Sequence, residues 1–231
     1  YRAMVRAKVD ALGARDQAIE SGERARLLEA ARRHLRLLAW TAVEDEGPLA
    51  VIACGLPGSG KSHLLGALAR ETGWPLLSTD LVRKELAGVS STARLPASAY
   101  DAASRERVYA ALIERAAAAP GPVLLDGNFA RRALRDAARR GSSRRSLLVH
   151  LVVDDAVAAE RLRARAQRGD DASDADAAVR ALRAAEFEAV DAEHEAPLLQ
   201  LDGALALSPA LDRLAVALLR LRGDRAAVSA R

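Results

Sequence analysis

Residues 55–62 read GLPGSGKS, and their order matches G-x-x-x-x-G-K-[ST]. Glycines at 55, 58 and 60 let a backbone wrap tightly enough to point successive N–H groups at one set of phosphate oxygens. The helix expected to follow adds its positive N-terminal end. Lys61 can bridge the outer phosphates, and Ser62 can place its hydroxyl on Mg²⁺. Gly55, Leu56, Pro57, Gly58, Ser59, Gly60, Lys61, Ser62 and His63 are therefore the expected cradle for a nucleoside triphosphate, with ATP and Mg²⁺ as cofactors. The apolar run LAVIAC (49–54) before it and the helical pattern after it supply the context the motif needs.

What happens to the outermost phosphate depends on other residues. No guanine-selecting N-K-x-D segment is present, and in VLLDGNF (123–129) Asp126 is followed by glycine rather than by a second carboxylate. LLSTDLVRKEL (76–86) offers a different arrangement. Asp80 follows an apolar run, and Arg83 lies one helical turn later on the same face. A carboxylate there can orient an acceptor hydroxyl, with arginines neutralising charge on a transferred phosphoryl group. The alternative role for Asp80 is a helix N-cap, which is compatible with the first. AERLRARAQRGDDASDAD (159–176) carries Arg161, Arg165 and Arg168, either on a lid over the nucleotide or on a solvated helix face. Asp174 is expected to cap the next helix.

The elements that must hold these residues alternate. Apolar runs at 49–54, 74–78, 121–126, 145–153 and 197–202 are separated by helical patterns at about 61–71, 80–87, 98–118, 130–140, 155–167, 175–193 and 208–221. Continuous rather than alternating apolarity suits strands covered on both faces. The expectation is an α/β fold, a doubly wound five-stranded parallel sheet with helices on both faces and ligands at the strand C-termini. Residues 1–42 show two further helical patterns. Expected domains are a helical linker or domain end at 1–45, a nucleotide-binding domain at 46–222 and a tail at 223–231, with EDEGP (44–48) as the connector.

Composition bounds the rest. Half of the 231 residues are hydrophobic but only 3% are aromatic, so aliphatic side chains and alanine must fill the core. Cys54 is the lone cysteine, which excludes an internal disulfide and fits a reducing, cytoplasmic setting. No apolar run approaches the ~20 residues that span a bilayer. Lys8, Lys61 and Lys84 are the only lysines, leaving 32 arginines among 35 basic residues. The net charge of +4 is thus a weak pointer to nucleic acid. RRALRDAARRGSSRR (131–145) concentrates charge, with Arg131, Arg135, Arg139 and Arg140 on either a solvated helix face or a polyanion-binding patch.

From about 49 to 205 the chain resembles the P-loop kinase family that includes zeta toxins, chloramphenicol phosphotransferase and the kinase domain of phage polynucleotide kinase. GLPGSGKS (55–62), STDLVRK (78–84), LDGNF (125–129), RLRAR (161–165) and SDA (173–175) carry the resemblance. It implies nucleotide and Mg²⁺ positions at Lys61 and Ser62, an acceptor-activating Asp80 with Arg83 beside it, and acceptor or metal contacts at Asp126 and Asn128. Arg161, Arg165 and Arg168 would fall in a lid, and His63 stands where threonine is usual. The implied activity is transfer of the ATP γ-phosphoryl group to a hydroxyl, on a small molecule in preference to a polynucleotide 5′ end; a non-catalytic ATP-binding regulatory module is the other class. The chain is also similar to the ATP-binding half of bacterial bifunctional proteins that begin with an aminoglycoside-phosphotransferase-like domain. Residues 1–42 would then be the hinge of a longer polypeptide.

Overall fold

The computed structural model describes residues 1–93, 95–142, 144–168 and 177–229. They form two compact units, Pro48–Leu205 and a helical unit of Tyr1–Gly47 with Ala206–Arg231.

The larger unit is built on five parallel strands: β1 Leu49–Cys54, β2 Leu76–Ser78, β3 Val123–Asp126, β4 Arg145–Val152 and β5 Leu198–Asp202. Their order in the sheet is β2-β3-β1-β4-β5. Every residue of β1 and β3 is buried, whereas β2 and β5 are partly exposed. This is why the central runs read as unbroken apolar sequence: both of their faces need hydrophobic side chains. Ile52, Leu112, Leu125 and Leu148 anchor the packing on one face, with alanines filling between them. Each such side chain contributes about 1.5–3 kcal/mol by burial.

The chain runs outward from β1 to β2, returns to β3, then crosses β1 to β4. Its direction of travel therefore reverses at β1, the place where open α/β sheets form a crevice. Register sharpens this. Ala53 and Ser78 both pair with Asp126, so β2 and β3 end at one level and β1 runs one residue further.

Helices α3 Lys61–Thr72, α4 Thr79–Leu86, α5 Ala102–Ala118, α6 Arg132–Gly141, α7 Asp155–Arg168 and α8 Ala177–Glu186 connect the strands. Two expectations are corrected. The 98–118 pattern is a 3₁₀ turn, Ala97–Tyr100, followed by α5, because the Asp101 carboxylate accepts from Ser104 N at 2.7 Å and starts the helix there. The 175–193 pattern stops as helix at Glu186. Beyond it, backbone groups are drawn into tertiary bonds: Glu188 N donates to Ala130 O at 2.8 Å, and the carbonyls of Glu188 and Ala189 accept from Arg135.

The smaller unit contains α1 Arg2–Gly13, α2 Ser21–Glu44 and α9 Leu207–Ser229. Buried Arg36 on α2 donates to Asp212 Oδ1 at 2.8 Å and Ser208 Oγ at 3.0 Å, while His34 meets Asp10 at 3.1 Å. Those bonds tie α9 to α2, so the segment assigned by sequence partly to the nucleotide domain and partly to a tail is one helix grouped with the N-terminal pair. Among the described residues, no helix is long and apolar enough to cross a membrane.

Candidate active site

The loop after β1 depends on what its glycines lack. Gly55 has φ +140°, and a Cβ there would lie 2.4 Å from Leu151 O of β4. Gly58 has φ +81°, with Ala158 O of α7 only 3.0 Å from the same imagined atom. No other residue fits either position without moving backbone. Within the loop, buried Lys61 donates from Nζ to Leu56 O at 3.0 Å and to Ser59 Oγ at 3.4 Å. Ser62 and His63 are exposed at the start of α3.

Lys61 lies among charges. Burial lowers its pKa below the ordinary lysine value; Asp126, Cys54 and Asp80 oppose that shift, and Arg165 adds to it. Asp80, Asp126 and Arg165, named from three separate stretches of sequence, are therefore all electrostatic neighbours of Lys61. Cys54 is a core thiol whose pKa burial pushes up to about 12, which leaves it protonated and unreactive.

Asp80 is not the N-cap of α4. Ser78 is, its Oγ accepting from Asp80 N at 3.2 Å. The half-buried Asp80 carboxylate accepts no hydrogen bond from the described residues. Asp126, at the end of β3, is buried. No group of three or more His, Cys, Asp or Glu suited to hold a metal occurs among the described residues. Mg²⁺ usually takes one or two protein oxygens and completes its shell with phosphate and water. The Ser62 hydroxyl and the Asp126 carboxylate fit such a donor set.

Two arginines reach the loop itself. Arg161 on α7 donates to Gly58 O at 3.5 Å, and Arg180 on α8 donates to Pro57 O at 2.5 Å while bonding Asp155 Oδ1 at 2.7 Å. Arg180 was not singled out from sequence, because nothing in AAVRALRAAE distinguishes it from its neighbours. The Arg168 side chain and Asp174 lie outside the described residues. Arg83 is buried, donates to Ala99 O at 3.1 Å and lies 4.7 Å over the Tyr100 ring. Its guanidinium thus faces the 97–100 turn. Gly203 was also missed: a Cβ there would sit 2.1 Å from Ser59 O, so the turn after β5 presses directly on the phosphate loop.

The turn after β3 is held by residues distant in sequence. Phe129 has φ +44°, a conformation costing a non-glycine residue about 1–3 kcal/mol. Phe129 N donates to Tyr109 Oη at 3.0 Å, and its carbonyl accepts from Arg135 at 3.1 Å. Asn128 O accepts from Gly55 N at 3.2 Å, joining this turn to the phosphate loop.

Arg135 fits neither reading of the 131–145 stretch, solvated face or polyanion patch. It is fully buried, donating to the Glu195 carboxylate at 2.5 and 3.0 Å and to four backbone carbonyls. Arg139 donates to the carbonyls of His194 and Ala196. Neither is available to a polyanion; of the four named arginines, Arg131 and Arg140 are exposed.

Residues 51–190 match a family model described as an AAA domain. Among solved structures, a gluconokinase from Sinorhizobium meliloti 1021 is 24% identical with a TM-score of 0.59, covering 79% of this chain and 98% of that one. Shikimate kinase from Acinetobacter baumannii, in complex with shikimate, is 14% identical with a TM-score of 0.52, covering 78% and 96%. Kti12 from Chaetomium thermophilum, in complex with ADP-AlF3, is 19% identical with a TM-score of 0.52, covering 73% and 98%. No curated protein matches the chain. At these identities the likeness is one of fold, a P-loop kinase-like sheet. With the family match spanning more than half of its residues, the chain belongs to the AAA domain family.

Proposed function

We propose that the protein is an ATP-dependent phosphotransferase acting on a hydroxyl group of a small molecule. The observation that carries this is Asp80: a carboxylate with no hydrogen-bond partner among the described residues, at the strand ends that also carry Lys61 and Asp126. The loop 55–62 would hold the triphosphate through backbone N–H groups, with Lys61 on its outer oxygens. Ser62 and Asp126 would hold Mg²⁺, which supplies charge neutralisation between the outer phosphates. Asp80 would orient the acceptor hydroxyl and take its proton as the oxygen bonds to the γ-phosphorus. The bond to the bridging oxygen breaks in the same displacement, and ADP leaves with that electron pair. Arg161 and Arg165 would stabilise the charge spread over the transferred group. The gluconokinase and shikimate kinase structures agree with a small acceptor.

A second reading is a nucleotide-binding regulatory module without an acceptor, with which the Kti12 structure, in complex with ADP-AlF3, is compatible. Labelled ATP offered with a panel of hydroxyl compounds separates the two. Transfer to any member supports the enzyme; slow hydrolysis with no labelled acceptor supports the module. The paired test is Asp80→Asn. General-base contributions are about 10²–10⁴-fold, so kcat should fall by that much while ATP affinity holds. Unchanged kcat would remove Asp80 from the chemistry.

A further inference from the structure

Two arginines from two elements meet at one carboxylate, and a third lies within electrostatic reach of it. Arg183 on α8 reaches Glu186 Oε2 at 2.7 Å, and Arg105 in the first turn of α5 reaches the same oxygen at 3.2 Å. Their side chains are only 12% and 18% exposed. Arg131, in the turn between β3 and α6, is exposed, and its side chain makes no hydrogen bond or ion pair with the described residues. The three fields overlap. Burial, then Arg183 and Arg131, lower the Arg105 pKa against the pull of Glu186. At Glu186, burial raises the carboxyl pKa but Arg183, Arg105 and Arg131 together hold it below the ordinary value. One carboxylate, bonded to two sheltered guanidiniums, thus stands against three positive charges, and like charges gathered this way disfavour one another.

Arg105 connects this cluster to the helix of the proposed acceptor position. Arg105 also donates to Tyr100 O at 3.5 Å, and the Tyr100 ring carries Arg83, one turn beyond Asp80 on α4. Tyr109, one turn after Arg105 on α5, is within electrostatic reach of Arg83, Asp80 and Arg105 together. Arg105 is thus linked through Tyr100 and Arg83 to the helix that carries Asp80, while Arg131 follows β3 and the phosphate loop follows β1.

We infer that the molecule bound beside Asp80 is anionic, its carboxylate or phosphate group held by Arg105, Arg131 and Arg183. As a statement about the acceptor, this rests on the phosphotransferase reading above. Glu186 already shows that the arrangement can hold a carboxylate, using one of its oxygens for two arginines. A ligand carboxylate or phosphate adds oxygens in the plane that guanidinium donors match, and Arg131 brings its donors to them. The anion is a small molecule and not a nucleic acid. A polynucleotide needs a track of cations along several phosphates, and three of the seven arginines of 131–145 are turned inward: Arg135 and Arg139 as described, and Arg144 to the carbonyls of Gly121, Ala117 and Ala119.

The test is calorimetric titration of the full chain, saturated with Mg²⁺ and a non-hydrolysable ATP analogue. The probes are glucitol, gluconate and glucitol 6-phosphate, similar neutral, carboxylate and phosphate sets on ring scaffolds, and a short 5′-hydroxyl oligonucleotide. We expect an anionic member to bind at least about tenfold more tightly than its neutral counterpart. Arg131→Gln, at an exposed position, and separately Arg183→Gln should weaken that binding about 10–100-fold, the effect of losing a charge-assisted hydrogen bond. Neither should alter the affinity for the neutral counterpart. Equal binding of neutral and anionic members, no anionic binding, anion binding untouched by both variants, or binding of the oligonucleotide alone would each overturn the inference. Parallel transfer assays separate the two proposals. Anion binding without phosphate transfer sinks the phosphotransferase reading and leaves the anion site; transfer to neutral acceptors alone does the reverse.

Discussion

The segment 131–145 and the helix pair α7–α8 are both rich in arginine, yet the fold uses them oppositely. In 131–145, seven arginines within fifteen residues look like a surface for a polyanion. Arg135, Arg139 and Arg144 instead donate to backbone carbonyls of segments at 117–121, 129–130, 188–189 and 194–196. They act as internal fasteners for chain that has no secondary structure of its own to satisfy it. From α7 and α8, Arg161 and Arg180 arrive singly, and each donates to a carbonyl of the phosphate loop. Density along the chain is thus a poor guide to availability. An arginine offers five donors in a rigid fork, and where irregular backbone lies within reach, carbonyls take them.

The sharpest way to break this contrast is Arg135→Gln. Removing one member of a buried ion pair leaves Glu195 uncompensated, so the variant should lose about 3–5 kcal/mol of stability in denaturant unfolding. Stability close to that of the parent would mean the interior role is wrong. The same pair sets a pH dependence. Burial raises the Glu195 pKa, but the Arg135 hydrogen bond and its neighbours bring it below the ordinary 4.5. The native state then binds fewer protons than the unfolded chain, so this contribution is complete above about pH 4.5 and is lost as pH falls through the lower folded value. Unfolding midpoints measured across that acid range should drop in the parent and flatten in Arg135→Gln.

Arg180→Gln should act on function more than on stability. Its loss frees Pro57 O and Asp155 and loosens the phosphate loop, so nucleotide affinity should fall about 10–100-fold by titration, the scale of one or two charge-assisted hydrogen bonds. An unchanged affinity would make Arg180 a surface bond only. Gly203→Ala probes the same loop from the other side. Overpacking costs about 1–3 kcal/mol, which should appear as weakened nucleotide binding because the clash is with Ser59 O. The smallest effect belongs to exposed Arg140: Arg140→Ala should change stability by no more than about 0.5 kcal/mol, and no salt-dependent oligonucleotide binding should be lost with it.

What the amino-acid order determined by itself is local. GLPGSGKS must bend where glycine sits, the five apolar runs must be covered on both faces, and their alternation with helices requires a parallel sheet; all five strands lie within the expected runs. Asp80, Asp126 and Lys61 could be named because each stands at the end of a run or inside a motif. The tertiary structure decided everything that depends on a distant partner: Ser78 rather than Asp80 capping α4, α8 ending at Glu186, Phe129 held at positive φ by Tyr109, and Arg180 on the phosphate loop. The physical reason is the reach of the interactions involved. Hydrophobic periodicity and glycine geometry are set by neighbours in sequence, while a long polar side chain is directed by whichever unsatisfied carbonyl or carboxylate the fold places near it.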